Sequence, residues 1–160
     1  MGGHESGIRS GTENVAGIVG FAKAVEIANN RMKHDQNKLN ELTGKLINGV
    51  LQIPDCSLNG HSAKRLPGNA HFSFNYIEGE SLVLYLDMQG IAASTGSACS
   101  TKSLKPSHVL TAMGLSHEEA HGSLRLTLGR ENTEEDVDYL LRVLPEIVTN
   151  LRKISPLGKK

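Results

Sequence analysis

His71-Phe72-Ser73-Phe74-Asn75, followed by Gly79-Glu80-Ser81-Leu82-Val83-Leu84-Tyr85-Leu86-Asp87-Met88 and then by Ile91-Ala92-Ala93-Ser94, decides the class of fold. The first segment alternates polar and apolar residues as a strand does. The second predicts a short, strongly apolar helix that Gly90 ends at its C-cap. The third predicts a brief strand. Working outward, Gly60, Pro67 and Gly68 punctuate short segments between Cys56 and Asn75, and Pro54 stops a helical pattern formed by Leu39, Leu42, Leu46, Ile47 and Val50. A separate helical run, rich in Ala, Val and Ile, is expected from Val15 to Met32. Gly2, Gly3, Gly7, Ser10 and Gly11 are too dense for regular structure.

Downstream, Ser107 is placed to cap a helix through Met113, with Gly114 beyond it, and Ser116-His117-Glu118-Glu119 has the form of a capping box. Ser123 to Leu128 alternates again. Thr133 caps the clearest helix, whose apolar stripe is Val137, Leu140, Leu141, Leu144, Val148 and Leu151. Pro145 inside that stripe is expected to kink the helix or break its bonding locally. Helices and short strands mixed in this way predict an α/β or α+β domain. With no internal repeat and no linker, residues 1–160 read as a single domain.

Lys plus Arg and Asp plus Glu each total 17, so the formal net charge is zero. No basic stripe suited to nucleic acid is present. No apolar run approaches the roughly 18 residues needed to span a bilayer. The start, Met1-Gly2-Gly3-His4-Glu5, has neither the basic nor the apolar region of a secretory signal. The two cysteines, Cys56 and Cys99, do not form a disulfide framework. A cytoplasmic protein with reduced thiols is expected.

Three features suggest chemistry. Cys99 lies in the small, polar segment Ser94-Thr95-Gly96-Ser97-Ala98-Cys99-Ser100-Thr101-Lys102-Ser103, which offers it no apolar packing partners in sequence. A structural cysteine is usually buried, so the core reading fits Cys99 poorly. Lys102, Lys105 and the helix starting at Ser107 each favour the thiolate over the thiol, whose free pKa is about 8.5. Position 105 is Lys, which excludes the arginine of a phosphatase loop. Cys56 and His61 lack the further ligands of a tetrahedral metal site, so Cys56 is expected to be a partly buried bystander and no metal is expected. Arg125 interrupts the apolar strand pattern Ser123-Leu124-Arg125-Leu126-Thr127-Leu128, so it either faces solvent or meets an anion such as a carboxylate. In the stretch from Gly2 to Asn14, Arg9, Ser10 and Thr12 are candidates for binding an anion, or Thr12 or Asn14 is simply a helix cap.

Together and in this order, these features resemble the cysteine desulfurases of the NifS/IscS type, pyridoxal-phosphate enzymes of the aspartate-aminotransferase fold within the class-V aminotransferases. The matching pieces are Gly2 to Asn14, Ser94 to Ser100, Leu104 to Leu110, Ala120 to Arg130 and Ser155-Pro156-Leu157. The resemblance covers nearly the whole chain. It implies the small C-terminal domain of a fold-type I enzyme, with helices packed on a short mixed or antiparallel sheet. It also implies that Cys99 takes sulfur from L-cysteine as a persulfide and releases alanine, that Arg125 holds the substrate carboxylate, and that Thr12 reaches the cofactor phosphate across a homodimer interface. The implied acceptor is an iron–sulfur scaffold protein. No lysine here stands in the family's Ser-x-His-Lys setting. The chain therefore reads as a C-terminal portion without the lysine-bearing domain, and alone it is expected to be inactive. Alternatives of other classes are a non-catalytic module that docks a scaffold protein and a selenocysteine lyase.

Overall fold

A computed structural model describes residues 10–96 and 106–156. The chain divides into two compact units, residues 1–35 and 36–160. In the first, the Asn14 side-chain carbonyl accepts a hydrogen bond from the Gly17 N–H at 3.1 Å, capping the start of α1 (Val15–Val50). Lys23–Glu26 and Arg31–Asp35 pair along this helix at i,i+3 and i,i+4. The expected pair of helices is thus one element. Positions 33–38 carry Lys, His, Asp, Gln, Asn and Lys, with no glycine or proline to break the backbone bonding. Within the first unit Val15, Ile18, Val19, Phe21, Val25, Ile27 and Met32 are exposed.

The second unit holds the core. A three-stranded antiparallel sheet, in the order β1 (Cys56–Leu58), β2 (Asn69–Phe74), β3 (Ser123–Thr127), carries α2 (Gly79–Asp87), α3 (His108–Ala112), α4 (His117–His121) and α5 (Glu134–Ile154). It is a small α/β domain, as expected. Alternation along β2 sends Ala70, Phe72 and Phe74 to one face, and along β3 it sends Leu124 and Leu126 there. Leu82 and Leu86 of α2, the Leu42-to-Val50 end of α1, and Val137, Leu140, Leu144, Ile147, Val148 and Leu151 of α5 close over that face. Leu141 of the expected stripe is only partly buried, and Ile147 takes a core place the stripe did not assign.

Both capping boxes form: Ser116 with Glu119 at α4, and Thr133 with Asp136 at α5. Ser107 occupies the N-cap of α3 without a side-chain bond, which corrects the expected cap. The α2 C-cap is Met88, and Gly90 stands two residues further on, at φ +74°. α5 runs on through Pro145. The Pro145 carbonyl accepts a bond from the Thr149 hydroxyl at 2.7 Å. The expected strand at residues 91–94 reduces to a single bridge between Ser94 and Arg125.

Candidate active site on the polar face of the sheet

The same alternation that fills the core puts Ser73 and His71 of β2, and Ser123, Arg125 and Thr127 of β3, on the opposite face. Arg125 is exposed. Its backbone is held on both sides. Its N–H donates to the Ser94 carbonyl at 2.7 Å and its carbonyl accepts from the Ser94 N–H at 3.2 Å. Because both groups point to Ser94, the cross-strand partner on β2, His71, faces Arg125 in a non-hydrogen-bonded position. Side chains approach most closely at such pairs. Among the described residues, no hydrogen bond or ion pair engages the Arg125 guanidinium.

Two like charges directly opposite each other in a sheet repel, and His71 responds to this. Burial first, then the Arg125 and Arg65 guanidinium groups, hold its imidazole below the usual 6.5, so the neutral ring is favoured at neutral pH. Its Nε2 is shut off from solvent and has no hydrogen-bond partner among the described residues. Arg65 donates to the carbonyls of His61, Asn59 and Asn69, a role that staples the chain between β1 and β2. Beneath the face, Asn59 and Ser73 satisfy each other in burial, Nδ2 to Oγ at 3.0 Å.

Beyond Ser94 the chain folds over this face. The Gly96 N–H donates to Ser123 Oγ at 3.1 Å. A methyl group added at Gly96 would stand 2.7 Å from Ser123 Oγ, 3.0 Å from Leu110 Cδ1 and 3.5 Å from His71 Cε1. Gly96 is therefore needed for close approach.

The geometry brings Arg125 together with His71, Ser94, Gly96 and Ser123. Thr12 is exposed in the other unit, where Asn14 bonds the first turn of the helix. Cys99 lies outside the described residues. Cys56 is half-buried at the start of β1, and burial pushes its thiol up to about 12, which removes it as a nucleophile. Among the described residues, no group of three or more His, Cys, Asp or Glu is placed to hold a metal ion, and no helix is long and apolar enough to cross a membrane. Local sequence pattern does not single out His71. Its signal was phase: it shares the polar parity of Ser73 in a strand whose other parity is Ala70, Phe72 and Phe74.

The family model for class-V aminotransferases matches residues 2–140. The chain belongs to that family. Among class-V relatives, cysteine desulfurase IscS 1 of Archaeoglobus fulgidus is 58% identical over 99% of this chain and 42% of its own length. Cysteine desulfurase IscS of Clostridium botulinum is 57% identical over 98% of this chain and 40% of its own length. The chain thus spans about two fifths of these curated relatives. A solved NifS-like protein superposes with a TM-score of 0.80 at 37% identity, over 94% of this chain and 38% of that one. The NifS-like protein from Rickettsia africae gives 0.80 at 29% identity, over 93% and 39%.

Proposed function

We propose that this chain is the C-terminal domain, residues 1–160, of a cytoplasmic, homodimeric cysteine desulfurase that passes sulfur from L-cysteine to an iron–sulfur scaffold protein. Arg125 carries the reading. An exposed guanidinium, fixed by its backbone and facing a neutral imidazole, is suited to bind the substrate carboxylate bidentately. The 58% identity with the Archaeoglobus fulgidus desulfurase over 99% of this chain supports the choice of reaction.

In that reaction the Cys99 thiolate attacks the substrate sulfur. A sulfur–sulfur bond forms, the substrate carbon–sulfur bond breaks, the carbon portion leaves as alanine after gaining a proton, and Cys99 becomes a persulfide. A thiolate of the scaffold protein then takes the outer sulfur and returns Cys99 to the thiolate form. Pyridoxal phosphate, when bound, supplies the electron sink that makes carbon–sulfur cleavage feasible. Among the side chains present, the exposed Arg125 guanidinium fits the carboxylate end of such a site, and the resemblance assigns Thr12 to the phosphate in the partner subunit's site. Lys23, Lys38 and Lys45 are occupied by Glu26, by the Arg130 carbonyl, and by Glu134 with Asp138, so none is placed as the covalent anchor.

Sulfide release from L-cysteine, measured with the remaining portion of the enzyme supplied, tests the reading. Cys99→Ala should abolish turnover. Arg125→Ala should raise KM about tenfold to a hundredfold, from the loss of hydrogen bonds to a charged group. Full turnover by the Cys99→Ala protein would overturn the proposal.

A further inference from the structure

His71 has no part in the chemistry above, yet its position is hard to account for by packing alone. Most buried polar atoms have a partner, and each exception calls for a reason. Here a buried ring nitrogen has none among the described residues, although Asn59, Ser73 and Ser123 on the same face are all satisfied. The ring faces Arg125 across β2 and β3 at the closest kind of antiparallel pair. A methyl group built on Gly96, in the chain that crosses the polar face, would stand 3.5 Å from the ring's Cε1.

We propose that His71 is the second binding residue of the Arg125 site, its Nε2–H donating to a carboxylate that the Arg125 guanidinium holds. A planar carboxylate has two oxygens and about four lone-pair positions. It can take a fork of two N–H groups from arginine and still accept a third bond from the side. A neutral donor suits this place, because a second fixed cation opposite Arg125 would repel it while the site is empty. The anion supplies the missing partner of Nε2, so the desolvation already borne by the ring is offset on binding. Since Nε2 has no open surface, the entering oxygen must displace part of its cover. The Gly96 amide, held by Ser123 Oγ, should register that movement.

The inference rests on the reading of Arg125 as a carboxylate site, and one titration separates the two. Sodium propionate is added to the isotopically labelled 160-residue chain, with sodium chloride at equal ionic strength as the control, and side-chain nitrogen resonances of Arg125 and His71 are followed with the Gly96 amide. The expected result is a joint, saturable shift of all three with propionate only. His71→Gln, which keeps an N–H donor, should bind within about twofold of the parent chain, and His71→Leu about tenfold more weakly, as expected for one hydrogen bond to a charged group. A propionate-dependent shift at Arg125 with none at His71 would overturn this inference and leave the Arg125 reading standing. No shift at Arg125, or shifts with inorganic phosphate but not propionate, would overturn both. Should His71→Leu fail to fold, the His71 resonance in the parent chain and the His71→Gln comparison still decide the matter.

Discussion

Replacing Gly96 and Ser123 by alanine, singly and together, tests whether the chain entering the cysteine segment is seated on the sheet as described. Gly96 has a φ outside the left-handed region, so the constraint is space and not dihedral preference. In Gly96→Ala the new methyl meets Ser123 Oγ at 2.7 Å and Leu110 Cδ1 at 3.0 Å. Overpacking of this kind costs about 1–3 kcal/mol. Ser123→Ala removes the acceptor of the Gly96 N–H from a side chain that is only 1% exposed. The lost bond and the orphaned donor together cost about 2 kcal/mol. In the double variant the nearest obstacle has gone, and Leu110 Cδ1 is the far end of a side chain that can turn aside. The double variant should therefore lose about 2–3 kcal/mol, less than the sum of the two single losses by about 1–2 kcal/mol. Urea unfolding of the four proteins, followed by circular dichroism and extrapolated linearly, measures this cycle. The unfolded-state effect of changing glycine to alanine cancels in it. Losses that add to within about 0.5 kcal/mol would refute the seating of Gly96 on Ser123.

Three further outcomes follow from the geometry. Thr133→Ala removes the acceptor of the Asp136 N–H and one half of the α5 capping box, and should lower stability by about 1 kcal/mol in the same urea assay. Cys56, with a folded pKa near 12 against 9.0 unfolded, should resist iodoacetamide until the chain is denatured, as mass spectrometry of its peptide would show; the linked stability is complete below pH 9 and is lost as pH rises from about 9 towards 12. Because the main core cluster begins at Leu42, a chain starting at Gln36 should melt within about 5 °C of the whole, read by differential scanning calorimetry.

The fold was legible where a local rule and the tertiary structure agreed. Thr133 and Ser116 announce helix starts because their partners stand three residues away, so the whole motif is visible in a short window. The α5 stripe shows for the same reason. The Asn69–Phe74 strand was legible from its alternation. By contrast, β1 is three residues long and owes its existence to pairing with Phe72, Ser73 and Phe74, which no local pattern encodes. The expectation of two helices followed the change along α1 from an Ala-, Val- and Ile-rich run to the spaced pattern Leu39, Leu42, Leu46, Ile47 and Val50. The backbone ignores such a change when no residue breaks its hydrogen bonds. At the site, Arg125 stood out as a charge among leucines. His71 did not, because a histidine in phase with Ser73 on a strand is unremarkable until the register with Arg125 is known. Ser123 and Gly96 were hidden for a similar reason, since their bond joins residues 27 apart.

Register is also what ties the proposed chemistry to the core. In a strand the side chains alternate, so sliding β3 by one residue would turn Arg125 inwards and Leu124 and Leu126 outwards. Leu124 and Leu126, with Phe72 and Phe74 opposite and diagonal to them, are all 4% exposed or less. At about 1.5–3 kcal/mol for each of the two leucines turned out of the core, the layer resists the slip by roughly 3–6 kcal/mol, before the penalty for burying an unpaired guanidinium is added. An arginine intended to hold an anion at a fixed place need not be anchored by its own side chain, which is free among the described residues. Its position is set by the leucines on either side of it and by the Ser94 bonds to its backbone. The apolar parity of β3 supplies the rigidity and the polar parity supplies the site. For that reason, substitutions that enlarge or empty the core under Phe72 and Leu124 should disturb carboxylate binding as well as stability, although none of those side chains faces the ligand.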